Sequence, residues 1–162
     1  MGIEMEVWIA AMPLRHAFTI SRSTARTAQA VFVRMRHEAL EGLGETVPSA
    51  FYGHTAESVA AALERLRPWL ASADPSAPRA LALEAFAQLN GDRAALCALD
   101  VALCDLAARR AQAPLWRWLG LRSGPIPPTT YTIGLDSIER MAAKLVPPAA
   151  AEGFAEVTVI RD

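Results

Sequence analysis

From Thr129 onward the chain switches between two periodicities. TTYTIGL has the Thr, Tyr and Ile content of a strand. DSIERMAAKL follows, with Asp136 or Ser137 available as a cap and Ile138, Met141, Ala142 and Leu145 on one helical face. Pro147-Pro148 interrupts that helix, and Val157 and Val159 then alternate with polar neighbours in EVTVI. Strand, helix, strand in this order is a βαβ unit. Such a unit requires a parallel pairing, and parallel sheets are built from more than two strands. No other stretch narrows the possible folds so far.

The residues ahead of it follow a different plan. Met5, Val7, Ile9 and Ala11 alternate with Glu4, Glu6 and Trp8 as a half-buried strand, which Pro13 is expected to end. Thr19 to Gln29 is a Ser/Thr/Arg-rich stretch expected to form a loop. Val31, Val33 and Met35 mark a second strand, Glu38 to Gly42 a turn, and GLGETV a third, shorter strand, giving an antiparallel meander. Helices come next. Thr55 is a candidate cap for Val59, Leu63, Leu66 and Leu70, a run that Pro68 should kink or end near Arg67. Ala71 to Pro78 is a loop by composition, Leu81 to Leu89 a short helix, and Asn90-Gly91 its end. The clearest helix is Asp92 to Gln112. Leu96, Leu99, Leu103 and Leu106 form one stripe, and Cys97, Val101 and Cys104 form a second. Both are expected to be buried. Pro114 stops this helix and PLWRWLG makes a short aromatic-rich turn. The composition changes after Gly124, so a domain boundary falls near residues 122–127. The fold class is α+β.

Charge and cysteine content exclude several functions. The formal net charge of −1 leaves no footprint for nucleic acid or an anionic membrane. No stretch is long and apolar enough to span a bilayer, and MGIEMEVWIA has two acids where a secretory signal would be basic, so a cytoplasmic location is expected. Cys97 and Cys104 lie two helical turns apart, about 10 Å, too far for a disulfide, and are expected to be small core residues. His16, His37 and His54 share no metal-ligand spacing. Asp100, beside the leucine stripe, reads as a hydrogen-bonded structural carboxylate. GLGE lacks the spacing of a phosphate loop, and there is no serine nucleophile elbow.

The succession of a meander, the ALCALDVALCDLAAR helix, PLWRWLG and then PTTYTIGLDSIERMAAK resembles the enolase superfamily along essentially the whole chain. The Tyr131-Thr132-Ile133-Gly134-Leu135-Asp136 stretch resembles its dipeptide epimerase branch, the alanyl-glutamate epimerases. The resemblance implies an enolase-type N-terminal capping domain over residues 1–125. Residues 126–162 would be the first strand-helix-strand of a truncated TIM-like barrel. It also implies a parent activity. A dipeptide carboxylate is held on Mg²⁺, and one of two opposed lysines removes the proton α to that carboxylate. The first of those lysines belongs to a Lys-x-Lys pattern shortly after a Gly-Phe. Counted from Gly153-Phe154, those positions here hold Thr158 and Ile160, neither of which can act as a base near neutral pH. The sequence has a single lysine, Lys144. No catalytic residue, no metal ligand and no bound Mg²⁺ is therefore expected of this chain.

In the family the cap supplies specificity. A mobile loop between its first two strands, here about His16 to Gln29, closes over the barrel mouth, with a second loop, Pro48 to His54, beside it. On this basis Phe18 would line the substrate pocket; as a residue at a strand end it serves equally as a core anchor. Arg22 and Arg26 are candidates to grip a substrate side-chain carboxylate, or are solvated surface arginines. Tyr52 would wall the pocket, or is an exposed loop aromatic. Thr132 would approach the substrate from the end of the first barrel strand, or is present for β-propensity.

Three origins fit such a sequence: part of a longer isomerase, the product of a gene shifted in frame ahead of the lysines, or a cap-derived module kept for binding or oligomerisation. A muconate cycloisomerase-like parent is a further alternative. The expected partners are a small dipeptide for the parent and, for this chain, another copy of itself through exposed barrel strands, with Thr129–Leu135 and Val157–Ile160 either disordered or paired across copies.

Overall fold

A computed structural model describes residues 2–125, 130–145 and 156–159. Strand β1 (Glu4–Ile20) and strand β2 (Ser23–His37) form a long hairpin closed at Ser21-Arg22. A turn at Glu38-Ala39 leads into β3 (Leu40–Thr46), and the sheet order is β1-β2-β3. The β2–β3 pairing is antiparallel, from Val31 opposite Thr46 to His37 opposite Leu40. This is the expected meander with longer arms. Pro13 does not end the first strand, and Thr19–Gln29 is not a loop: both strands continue to a two-residue turn. β1 is an edge strand, so a proline that lacks its N–H is tolerated there. The threonines of the polar stretch suit a pleated backbone, and Thr19 Oγ1 lies 3.0 Å from Thr24 Oγ1 across the hairpin.

Each helix begins where local chemistry permits. Thr55 caps α1 (Ala56–Glu64), accepting from the Ser58 N–H while Ser58 Oγ accepts from the Thr55 N–H. Pro68 lies at the start of a separate short helix, α2 (Arg67–Leu70), so α1 stops at Glu64 rather than running on to Arg67. Pro78 likewise opens α3 (Pro78–Gln88), three residues earlier than the leucine pattern places it. Asp92 caps α4 (Arg93–Arg110) by accepting from the Ala95 N–H at 2.9 Å, and α5 (Leu115–Trp118) follows Pro114.

The chain forms two compact units. One comprises the residues up to Met12 with Gln29–Ser123; the other comprises Pro13–Ala28 with the described residues from Gly124 on. The first unit has the larger core. Ile3, Met5, Val31, Val33 and Met35 on one face of the sheet pack with Val59, Leu63, Leu66, Leu70 and the inner side of α4. That inner side corrects the two-stripe expectation. Leu99, Leu103 and Leu106 are buried together with Ala95, Ala98 and Ala102, whereas Cys97 is exposed, Val101 is 42% exposed and Cys104 only half-buried. Cys97 is therefore not a core residue. The cause lies on β3. A Cβ at Gly42 would stand 2.3 Å from the Ala102 carbonyl oxygen, and one at Gly44 would stand 2.0 Å from that of Ala98. The two glycines bring the helix backbone onto the strand, and only alanines fit in the seam. Asp105 adds to this docking by accepting from the Leu43 N–H at 2.9 Å, on the open edge of β3.

In the second unit, β4 (Thr130–Ile133) pairs in parallel with β5 (Glu156–Val159), with Thr132 opposite Thr158. Helix α6 (Ile138–Leu145) connects them in sequence, and Ser137 Oγ accepts from the Arg140 N–H at its start. Its expected inner face is partly corrected: Ile138 is 77% exposed and Ala142 is exposed, while Met141 and Lys144 are half-buried. Lys144 stands 3.0 Å from Asp136. Pro147-Pro148 and Ile160 lie outside the described residues.

Candidate functional site

The hairpin tip is a built element of the second unit. Leu135 donates its backbone N–H to the Thr19 carbonyl at 2.8 Å, tying the end of β1 to the residues that follow β4. The close approach depends on Gly134, where a Cβ would stand 2.8 Å from the Thr19 nitrogen and 3.2 Å from Phe18 Cδ2. Around this junction a cavity of about 490 Å³ is lined by Leu14, Phe18, Thr132, Ile133 and Gly134, with Lys144 at its side. The volume lies in the range of small-molecule sites, and the lining is mainly apolar with a few polar groups, as such sites require.

A second cavity of about 480 Å³ adjoins it, sharing Arg15, His16, Ala17 and Lys144. Its remaining polar lining is Arg26, Asp136 and Arg140. Asp136 takes a hydrogen bond from Lys144 at 3.0 Å and another from the Ser137 N–H at 3.0 Å, and Arg140 stands 3.5 Å away. The Lys144 hydrogen bond is the main reason its carboxyl is held below the ordinary carboxylate range, with the Ser137 N–H and the charges of Lys144 and Arg140 adding to it. A roomier cavity of about 610 Å³ in the first unit runs along β1. Its acid Glu6 pairs with Arg34, and Arg36 with Glu41, so those charges are already matched.

The structure brings two of the five expected substrate-side residues together, while Arg26 lines the adjoining cavity. Phe18, 37% exposed, and Thr132, also exposed, line the same cavity. Arg22 occupies the hairpin turn and is exposed. Tyr52 belongs to the first unit, on a single 3₁₀ turn (Ala50–Tyr52), where it is 74% exposed and packs edge-to-face on Phe51 at 5.1 Å. Beside that turn, His54 Nδ1 lies 3.5 Å from the capping carboxylate of Asp92. Asp100 is half-buried, and the Cys104 thiol donates to it at 3.9 Å. Sequence reasoning passed over Gly134, Asp136, Arg140 and Lys144 as site residues. Two signals were available: a glycine immediately after a strand, and a sole lysine eight residues beyond an aspartate. Among the described residues no group of three His, Cys, Asp or Glu side chains is placed to hold a metal ion.

Comparison with known proteins gives concordant findings. The family model described as mandelate racemase / muconate lactonizing enzyme, N-terminal domain, matches residues 3–120. An L-Ala-D/L-amino acid epimerase of Flavobacterium johnsoniae is 31% identical over 134 residues, covering 83% of this chain and 40% of the relative. The crystal structure of a dipeptide epimerase from Cytophaga hutchinsonii, complexed with Mg and D-Ala-L-Val, superposes with a TM-score of 0.88 at 28% identity, covering 98% of this chain and 44% of that one. The dipeptide epimerase of Methylococcus capsulatus, complexed with Mg and L-Arg-D-Lys, gives a TM-score of 0.88 at 32% identity, covering 98% and 46%. The chain spans about two fifths of the length of the curated relatives it matches.

Proposed function

Because the chain belongs to the mandelate racemase / muconate lactonizing enzyme family, as its N-terminal domain, we propose that it supplies the substrate-enclosing part of a dipeptide epimerase and none of the proton-transfer groups. Its three-stranded antiparallel sheet followed by helices is the capping-domain fold of the enolase superfamily. Residues 1–125 are assigned to the cap and 126–162 to the start of a barrel. The observation that carries the reading is the backbone bond between Thr19 and Leu135, which sets Phe18 and Thr132 on one cavity. Phe18 would cover the apolar part of a bound dipeptide, Thr132 would donate to or accept from its polar backbone, and the hairpin tip would exclude water. Arg22, at the turn, is the candidate contact for a distal carboxylate, and Tyr52 a further wall.

Relatives of this chain hold Mg together with dipeptides. The described residues do not include a matching set of ligands. At the position the resemblance gives to the first lysine stands Thr158, register partner of Thr132, whose hydroxyl is no base near neutral pH.

The test pairs binding with exchange. Titration of the ¹⁵N-labelled chain with L-Ala-L-Glu should perturb amides near Phe18, Thr132 and Gly134, and Phe18→Ala and Thr132→Val should each weaken the response. In D₂O the α-proton of the dipeptide should not exchange. Exchange by the purified chain, or shifts that avoid these residues, would refute the assignment.

A second reading, self-association, draws support from β4 and β5. Among the described residues these two strands pair only with each other, and a two-stranded parallel sheet has two open edges. A cytoplasmic location remains part of the proposal; among the described residues no helix is long and apolar enough to cross a membrane.

A further inference from the structure

The cavity shared by Phe18 and Thr132 is apolar on much of the wall that this chain contributes. Leu14 and Phe18 stand four residues apart on β1, so they leave the strand on the same side. Both line the cavity, and each is 37% exposed, outside the buried core. Ile133 and Gly134 extend the apolar lining. A Cβ at Gly134 would stand 3.2 Å from Phe18 Cδ2, so the bare glycine lets the ring approach the backbone after β4. The cations that share the lining are already engaged. Lys144 donates to Asp136 at 3.0 Å, and Arg15 is not free either. Arg26 lines the adjoining cavity, and Arg22 sits in the hairpin turn. Outside the described residues the sequence has one further basic side chain, Arg161. Thr132 and His16 remain as hydrogen-bonding groups, enough for one peptide amide.

We infer that this pocket selects a dipeptide with an aliphatic side chain, of the size of valine or leucine, over one with a side-chain carboxylate. The inference rests on the dipeptide reading and names its substrate class. About 490 Å³ is room for a dipeptide, and the side chain that meets Leu14, Phe18 and Ile133 gains in proportion to the apolar area it buries. A carboxylate in the same place loses its hydration, and the ammonium nearest to it is held by Asp136. Thr132 and His16 orient the peptide bond and do not discriminate between the two, because both dipeptides present the same amide. Discrimination therefore falls to Leu14 and Phe18. Their place on the hairpin arm makes them specificity-determining residues, with no part in proton transfer.

The probes are four dipeptides, L-Ala-L-Ala, L-Ala-L-Val, L-Ala-L-Leu and L-Ala-L-Glu, each titrated into the ¹⁵N-labelled chain at matched ionic strength and followed at the amides of Phe18, Thr132 and Gly134. Affinity should rise from Ala through Val to Leu, by about tenfold over the series, the scale of one buried aliphatic side chain. L-Ala-L-Glu should bind no more tightly than L-Ala-L-Ala. Leu14→Ala and Phe18→Ala should each narrow the Leu-to-Ala ratio. Leu14→Arg should reverse the order in favour of L-Ala-L-Glu, a gain that a merely structural role for Leu14 would not produce. Arg79→Ala, in the first unit, should leave all four affinities unchanged. Two failures are distinguishable. Binding of L-Ala-L-Glu as tight as that of L-Ala-L-Leu overturns the aliphatic preference and leaves the dipeptide reading standing. No saturable response to any of the four overturns that reading, and the preference with it.

Discussion

At the scale of single residues, side chains of the same type meet different physical conditions. Cys97 is exposed on α4, whereas Cys104, two turns on, is half-buried. Burial, reinforced by the charge and the accepted hydrogen bond of Asp100, pushes the Cys104 thiol up from its usual value. The thiolate is the nucleophile, so iodoacetamide at pH 8 should label Cys97 well before Cys104, as read by mass spectrometry of timed digests. Denaturation should erase the difference. Glycines divide in the same way. A methyl at Gly44 meets the Ala98 carbonyl oxygen at 2.0 Å, and the obstacle is helix backbone that cannot rotate away. Gly44→Ala should cost about 3 kcal/mol, the upper end for overpacking, measured by urea unfolding. Gly124→Ala, with nothing within 4 Å, should stay within about 0.5 kcal/mol of the parent.

Secondary-structure elements were legible where local chemistry alone decides them. Thr55 announced the start of α1, and the stripe Leu96, Leu99, Leu103 and Leu106 announced a buried helix, whose cap Asp92 only the structure showed. Pro13 was misleading because a proline's effect depends on whether its strand is an edge, which a single strand's pattern cannot reveal. The second stripe of α4 misled for a similar reason: Cys97 and Val101 look apolar, but the glycines of β3 turn the alanine side of the helix inward. Helix α6 yields an element-scale prediction. The Asp136 carboxyl is held below its ordinary value chiefly by its hydrogen bond from Lys144. A depressed carboxylate contributes stability that is present above the unfolded-state value, about 3.9, and is lost as pH falls through the lower folded value. Amide protection in α6 and at Leu135 should therefore decline as pH drops below about 4, and Asp136→Asn should remove that dependence while lowering protection at neutral pH.

At the scale of the whole molecule, two units carry unequal shares of the core. The first places Leu99, Leu103 and Leu106 out of water beside the sheet, at roughly 1.5–3 kcal/mol for each buried side chain. The second has a hairpin tip, one helix and a two-stranded parallel sheet, and among described residues its large fully buried side chain is Ile133. Stability should be graded accordingly. Hydrogen exchange should show the amides of α4 and of β2 from Ala30 to His37 opening only with global unfolding, and those of β4 and β5 opening first. If self-association covers the open strand edges, light scattering should give an average mass that rises with concentration, and protection in β4 and β5 should rise with it. A constant monomer mass would discard the self-association reading.

The sequence by itself determined the α+β order of elements, the capping of α1, the parallel return from β4 to β5, and the family to which the chain belongs. Each of these is written in local periodicity, in caps or in contiguous motifs. Only the tertiary structure decided that Pro13 lies inside a strand, that α4 faces inward with its alanines, and that Phe18 and Thr132, more than a hundred residues apart, share a cavity. It alone gathered Arg26, Asp136, Arg140 and Lys144 around a second one. These outcomes depend on which backbone comes within a few ångströms of which, through Gly42, Gly44 and Gly134, and long-range approach of that kind leaves no periodic trace in a chain read one window at a time.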